Sequence, residues 1–398
     1  MKLLHVADLH IGKVVNEFSM LEDQKFILEQ ILQTAIAQKV EAILIAGDLY
    51  DRSIPPADAV AVFDHFLTDV RKEGIKVIMI AGNHDSQERV GFLQNVLSNQ
   101  GIFISGIPKE SLTRVCLNEK EEGIGKGAAA VKTEVVLLPF GKPSQVHCST
   151  SEEAVRKLLS GYWEEESAGG KQKERKNRIL LTHYFVTDCG REPELSDSES
   201  TIHVGSLDNV EASVFEGFDY VALGHIHKKQ QIGSRPVYYS GSPLKYSFGE
   251  AGSTKGMLLV TMGEEGLCGV EELPLKPLRE MRKIKGTLQE LLKQGREEGS
   301  GAQDYVQACL TDEGELIDPM ETLRSVYPNA MQILRADREE IKTEFELGTS
   351  ALHGAVKRKD AGFLFREFYE EVKEQEMTEE QKQYMVNVIR EAKEKAEG

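Results

Sequence analysis

Eight residues of types that bind metal ions or move protons each lie just past an apolar run of this 398-residue chain. Asp8 and His10 end KLLHVADLH, Asp48 ends AILIAGD, and Asn83 with His84 follow KVIMIAG. His183 ends RILLTH, and His225 and His227 end YVALGHIH. One histidine at a strand end is most often a packed, hydrogen-bonded residue. Five endings of this kind are explained together if folding gathers them, because ligands in α/β sheets collect at the carboxyl ends of strands. On an extended backbone, residues two apart point the same way, which pairs Asp8 with His10 and His225 with His227. Asp48 follows a glycine at a strand end, where one carboxylate can bridge two cations. Asp, Asn and His without cysteine suit manganese, iron or zinc, not magnesium in an all-oxygen shell. Two such cations ~3.5–4 Å apart activate water, orient phosphate oxygens and neutralise developing charge, which is the chemistry of phosphoester hydrolysis. That chemistry still needs a group at the leaving oxygen. His84, next to Asn83, is the candidate general acid, with Asp85 expected to hold its imidazole in one tautomer.

The elements that would position these residues alternate through residues 1–110: LLHVA, FILEQILQTAIAQ, AILIAGD, ADAVAVFDHFLTDVRKEG and KVIMIAGNHD. Unbroken apolar runs, not alternating ones, predict strands covered on both faces and joined by crossover helices. Further strands are expected at Val135–Phe140, Arg178–His183, Tyr220–Leu223 and Val237–Ser240. The polar stretches Asn118–Lys132 and Glu164–Asn177 read as surface excursions. Pro274 and Pro277 within Leu273–Arg279 mark a linker into a smaller α+β module with the order strand, helix, strand, helix, strand over residues 280–335. Beyond Glu340 the chain turns charged, then forms helices at Ala361–Glu374 and Glu379–Lys395, the second with Thr378 and Gln381 at capping-box spacing. Leu364, Phe365, Phe368, Tyr369 and Val372 make an apolar stripe on the first, to pack on the module or to dock a partner. Three domains follow: 1–275, 276–340 and 341–398.

Other candidates carry less. His5 alternates with the ligand positions inside the first strand and reads as core. His65 lies in a helix beside Phe63 and Phe66 and reads as packing or solvent. His147, His203 and His353 sit in no motif. Lys13, Arg52, Arg89, Lys228 and Lys229 follow the motifs closely enough to meet phosphates.

The net charge of −17 speaks against a nucleic-acid partner only weakly, since Asp8 and Asp48 would lie under two cations. The five cysteines are odd in number and widely spaced with no CxxC, as expected of reduced thiols in a cytoplasm. Asp8 interrupts the position an export signal would need, and no run approaches the ~20 apolar residues of a membrane span. No GxxxxGK[ST] loop is present, so ATP hydrolysis would have to come from another chain. No GxSxG is present either, which removes the usual serine-hydrolase reading.

The order DLH, GDLYD, GNHD, LTH, GHIH is similar to that of the calcineurin-like metallophosphoesterases. The longer stretches GDLYDRSIPP, AGNHDSQER, SDSES, FDYVALGHIH and YYSGSPLKYSFGE, with LTD and YPN in the small module, resemble the double-strand-break nuclease branch of that family from Met1 to about Asn329. Ser200 departs from that pattern, standing where a basic residue is expected. The resemblance implies an α/β metallophosphoesterase sandwich with a capping domain beside the DNA and C-terminal docking helices. It implies one metal held by Asp8, His10, Asp48 and His227, and a second held by Asp48, Asn83, His183 and His225, with His84 at the leaving group. It further implies two divalent ions, most naturally manganese, and 3′–5′ exonuclease action on duplex ends with endonuclease action on single strands and hairpins. A homodimer working with an SMC-like ATPase in repair, recombination and replication completes the expectation. The alternatives are a phosphomonoesterase or protein phosphatase using the same site, which has no need of a capping module, and a DNA-end-binding scaffold, which has no need of His84.

Overall fold

The computed structural model describes residues 1–117, 132–168, 176–196 and 208–336. All but the first residue of the SDSES motif, including Ser200, together with His203, His353 and the stretches expected to form the two C-terminal helices, lie outside them. Residues 1–336 form one compact unit and 337–398 a second.

The apolar runs become strands of two sheets, the sandwich that the resemblance implies. In the first sheet β1 (Lys2–Val6), β2 (Ala42–Ile45), β3 (Lys76–Ile80) and β4 (Ile102–Ser105) run parallel, with Val6 level with Ile45 and Ile45 with Met79. The second sheet has β5 (Thr113–Leu117), β6 (Lys132–Leu138), β7 (Lys176–His183), β8 (Tyr220–Gly224), β9 (Gln230–Gln231) and β10 (Val237–Tyr239). Its order is β9-β10-β8-β7-β6-β5, with Gly224 of β8 level with His183 of β7. A hairpin of β11 (Gly256–Gly263) and β12 (Gly266–Pro274), which the periodicity did not reveal, pairs antiparallel with β1 and completes the first sheet.

The sheets stack because each strand is apolar on both faces. Leu3, Leu44, Ile78 and Ile80 meet Val135, Leu137, Ile179 and Leu181 between the sheets. The alternate residues Leu4, Ile43 and Val77 pack outward under α1 (Leu21–Gln38) and α2 (Ala57–Lys72). The outer face of the second sheet is covered by α3 (Ser151–Ala168) through Val155, Leu158, Leu159 and Tyr162. The result is an α/β/β/α sandwich. The stretch expected as an excursion over 164–177 therefore begins as the last turns of α3 and ends inside β7, which starts at Lys176. Its apolar residues precede Glu164, so the charged end of the helix reads as loop in sequence. Lys132 likewise belongs to β6, and the rest of its stretch, 118–131, lies outside the described residues.

His5 is core, as its position in β1 implies. Its Nδ1 lies 2.9 Å from the Tyr220 hydroxyl and its Nε2 3.1 Å from the Leu223 carbonyl, so it bonds one sheet to the other. Complete burial holds it neutral, with its pKa lowered to about 3.

The expected linker at Leu273–Arg279 is only partly that: β12 runs to Pro274, and Leu275 is buried with its N–H on the Lys255 carbonyl. The module beyond is β13 (Met281–Gly286), α4 (Leu288–Glu297), β14 (Tyr305–Leu310), α5 (Pro319–Arg324) and β15 (Ala330–Arg335), with its three strands parallel in chain order. Thr287 and Glu290 close a capping box at the start of α4. The module is fastened to the sandwich at Asp23, which is buried on α1. Asp23 accepts hydrogen bonds from the Tyr305 hydroxyl at 2.7 Å and the Arg279 guanidinium at 2.8 Å.

The folded pKa of His5 lies below its ordinary 6.5, so in that window the unfolded chain binds a proton that the folded chain does not. Stability from this group is complete above about pH 6.5 and is lost as pH falls toward 3. In EDTA, the stability difference between the parent chain and His5→Gln should narrow by up to ~1.4 kcal/mol per pH unit below about 6.5, read from urea unfolding. A constant difference would contradict a neutral His5.

Candidate metal centre

The carboxyl ends of β1, β2 and β3 face those of β7 and β8, and the candidate residues meet there. The first two loops are laced together by backbone: Asp8 N–H donates to Gly47 O at 3.1 Å, His10 N–H to Asp48 O at 3.0 Å and Ile11 N–H to Leu49 O at 2.9 Å. The acids tie in the rest. Asp48 Oδ1 accepts the His84 N–H at 2.9 Å, and Asp8 Oδ1 accepts the His225 N–H across the sheets at 2.9 Å.

The backbone is unusual at four of the candidate ligands. Asp8, His10, Asp48 and His225 have φ of 54°, 44°, 49° and 101°, a region sparsely populated by residues with side chains and common at functional sites. The glycines before Asp48, Asn83 and His225 let the loops close. A Cβ on Gly82 would lie 2.1 Å from Asp48 Oδ1, and one on Gly224 would lie 1.9 Å from the Ala46 carbonyl. A Cβ on Gly47 would sit 2.4 Å from the His183 ring.

The side chains fit a bound cation at the level of lone pairs. His183 donates Nδ1–H to Ala46 O at 2.7 Å. Its Nε2 then faces two oxygens, Asn83 Oδ1 at 2.9 Å and Asp48 Oδ2 at 3.4 Å. His225 Nδ1 also approaches Asn83 Oδ1, at 3.0 Å. His10 Nε2 and His227 Nε2 meet at 3.1 Å, with Asp48 Oδ2 at 3.7 Å from His10. Asp8 Oδ2 is buried with no hydrogen-bond partner among the described residues. In the tautomers that put the proton on the other ring nitrogen, these imidazoles turn lone pairs toward the same space as the carboxylate and amide oxygens, an arrangement a cation would fit.

Shared protons are the other source of compensating charge. Burial pushes the Asp8 carboxyl up to about 7, and burial holds His10 well below its usual range. Burial opposes charge on His183 and on Asp48 as well. Their mutual attraction outweighs it, raising the imidazole to about 9 and holding the carboxyl below the usual range.

His84 stands beside the donors, half-buried, its ring edge-on to that of His10 with centroids 4.9 Å apart. One of its ring nitrogens is within 4.8 Å of the ligand atoms of both His10 and Asp48. Asp85 does not hold it. The Asp85 carboxylate instead accepts three backbone N–H groups, from Leu49 at 3.1 Å, Tyr50 at 3.0 Å and Gly82 at 2.9 Å. A carboxylate so occupied cannot also turn to the neighbouring ring. The partner of His84 Nδ1 is the Asp51 carbonyl at 3.1 Å, a residue the motif GDLYD contains but side-chain type alone does not reveal.

Beyond His227 a cleft of about 790 Å³ passes Lys228, Lys229, Ser242 and Thr254. Lys228 and Lys229 are paired with Glu194 and Glu272, and Lys13 meets Asp51 at 2.6 Å, so these candidates for phosphate contact already have partners. His65 is exposed on α2, away from the centre.

A buried Asp/Asn/His cluster at facing strand ends of an α/β/β/α sandwich is the layout of a dinuclear phosphoesterase, and residues 1–229 match the calcineurin-like phosphoesterase family. That family uses two divalent metal ions. Over 389 residues, 96% of each chain, the sequence is 30% identical to the SbcD subunit of the nuclease SbcCD from Staphylococcus epidermidis. The chain thus belongs to the calcineurin-like phosphoesterases and, within them, to the SbcD family. Residues 277–373 match a second family, the type 5 capsule protein repressor C-terminal domain. Two solved structures align with a TM-score of 0.39, a dimetal phosphatase from Danio rerio and a protein of Thermus thermophilus. They are 12% and 11% identical and cover 69% of this chain and 98% and 99% of their own, a likeness on which the assignment does not rest.

Gly224→Ala should lower stability by about 3 kcal/mol or more, because the methyl would meet backbone and the His183 ring, with neither free to move. Gly314→Ala, which meets nothing within 4 Å, should leave the unfolding midpoint unchanged. Equal midpoints for the two variants in chemical denaturation would refute the close approach.

Proposed function

We propose that this chain is a two-metal DNA phosphodiesterase, the nuclease subunit of an SbcCD-type complex. The observation that carries the reading is the meeting of seven metal-donor side chains, from five loops, with one further imidazole beside them. In this assignment Asp8, His10, Asp48 and His227 hold one ion, and Asp48, Asn83, His183 and His225 the other. The contacts of His10 with His227, and of Asn83 with both His183 and His225, support that division. Mixed imidazole and oxygen donors without thiolate suit manganese, iron or zinc, and the motif resemblance selects manganese among them.

When bound, the two ions supply activation of water and neutralisation of phosphate charge. The rest is the work of the chain. The half-buried face of the centre admits a phosphodiester. The Asp51 carbonyl accepts the Nδ1–H of His84, which leaves Nε2 facing the leaving oxygen and able to give it a proton only from the imidazolium form, returning to the neutral ring. The burial of Asp8, Asp48 and His183 keeps bulk water from screening these interactions. The 3′–5′ exonuclease polarity, the endonuclease action on single strands and hairpins, and the roles in repair, recombination and replication rest on the motif resemblance.

The domain roles belong to the same proposal: 1–275 catalytic, 276–340 capping the DNA, 341–398 docking an SbcC-type, SMC-like ATPase. A homodimer is supported by Phe92, Leu93 and Val96, which are 70%, 50% and 60% exposed beside the short helix Gln94–Leu97. Free cysteines support a reducing cytoplasm, and among the described residues no helix is long and apolar enough to cross a membrane.

With Mn²⁺ and end-labelled duplex DNA, with and without an SbcC-type partner, the parent chain should cleave. His84→Ala should retain both ions by isothermal titration and lose ~10²–10⁴-fold in rate. Undiminished cleavage by the variant would remove His84 from the chemistry. Turnover of small monoesters or phosphopeptides alone would replace the nuclease with a phosphatase.

Sedimentation velocity checks the assembly. The chain should run as a dimer and Phe92→Asp as a monomer. A chain ending at Lys359 should remain dimeric yet no longer co-sediment with the ATPase. A parent monomer would refute the homodimer, and retained co-sedimentation would refute the docking role.

A further inference from the structure

The stretch 7–12, which carries Asp8 and His10, is bent by three left-handed residues: Asp8, His10 and Gly12, the last with φ of 88°. Such turns are strained at residues that carry side chains. The bends also aim peptide groups into the core beside the sheet, where an unmet polar group is expensive. Two side chains from distant parts of the chain meet them. Gln24, 3% exposed on α1, accepts the Gly12 N–H through Oε1 at 2.9 Å. Its Nε2 donates to the His10 carbonyl at 2.7 Å, and the Leu9 carbonyl lies 3.3 Å away. The Tyr246 hydroxyl donates to the Leu9 carbonyl at 2.5 Å and accepts from Gln24 Nε2 at 3.2 Å. The Tyr246 ring also stands edge-on to His10 and His227, with centroids 5.6 and 5.9 Å away. One buried pair therefore holds the strained loop from below and two candidate ligand rings from the side. Neither residue offers an atom to the ions, and neither is part of the donor set.

We propose that Gln24 and Tyr246 are positioning residues for the ion held by Asp8, His10, Asp48 and His227, a claim that rests on the two-metal reading above. Both fasten the loop before any ion arrives, so the donors are already in place and binding need not order them. A role confined to stability would act on the fold and leave ion affinity alone, and the two roles separate experimentally. Tyr162 supplies the comparison: its buried hydroxyl, on the outer helix α3, donates to the Glu134 carboxylate at 2.7 Å, away from every ligand loop.

Isothermal titration of the metal-free full chain with Mn²⁺ gives the readout, with the unfolding midpoint in EDTA measured alongside. The parent chain should bind two ions. Tyr246→Phe should weaken one of the two by ~10–100-fold and leave the other within a factor of about two. Gln24→Glu keeps the acceptor for Gly12, loses the donors, and should split the two affinities in the same sense. Tyr162→Phe should lower the midpoint while both affinities stay at parent values. Parent affinities in both Tyr246→Phe and Gln24→Glu, with lowered midpoints, would overturn the positioning role and leave a structural one. Fewer than two ions on the parent chain would overturn the two-metal reading and the proposal with it.

Discussion

Two carboxylates without water govern this structure. Asp8 is 0% and Asp48 2% exposed, at the ends of adjacent parallel strands and surrounded by imidazoles. A charge that deep is tolerated only when paired, and these acids face histidine nitrogens and each other across a few ångströms. Positive charge must be supplied locally, as shared protons or as cations. The left-handed backbone at Asp8, His10, Asp48 and His225 and the glycines that admit close approach are the means by which the chain brings its acids together around that charge.

Bringing the donors together takes two sheets, because no single sheet end offers enough of them. The first supplies Asp8, His10, Asp48 and Asn83, and the second supplies His183, His225 and His227. Their distance is set by the core between them and by His5, whose imidazole bonds Tyr220 and Leu223 of the opposite sheet. At the rim the support is reciprocal. The acid of the GNHD loop, Asp85, satisfies backbone of the GDLYD loop, while the Asp51 carbonyl of the GDLYD loop orients His84 of the GNHD loop. Disturbing either loop therefore reaches both.

The small module shares in this through neighbouring residues of α1. Asp23 takes the Arg279 and Tyr305 contacts that fasten the module, and Gln24 takes the peptide groups of the ligand loop. The first turn of one helix thus touches both the metal loop and the attached domain. That places the module in mechanical contact with the chemistry without giving it a ligand.

Local sequence was enough to show which residues gather at the centre and which strands carry them. Strand ends are readable because apolar β-branched runs are local, and ligand types are readable because few other residues bind metal. Asp8, His10, Asp48, Asn83, His84, His183, His225 and His227 all stand at the centre, and His5 is core. Which strand joins which sheet, the hairpin at 256–274 and the end of α3 emerged only from the folded chain, since partner strands and helix faces are chosen by packing far along the sequence. The same holds for Asp85, which motif order places beside His84 and which hydrogen bonding turns toward Leu49, Tyr50 and Gly82 instead. Gln24 and Tyr246 were out of reach for the strongest reason. A glutamine and a tyrosine 222 residues apart carry no signal of their own, and their work is done on backbone atoms that only a folded loop exposes.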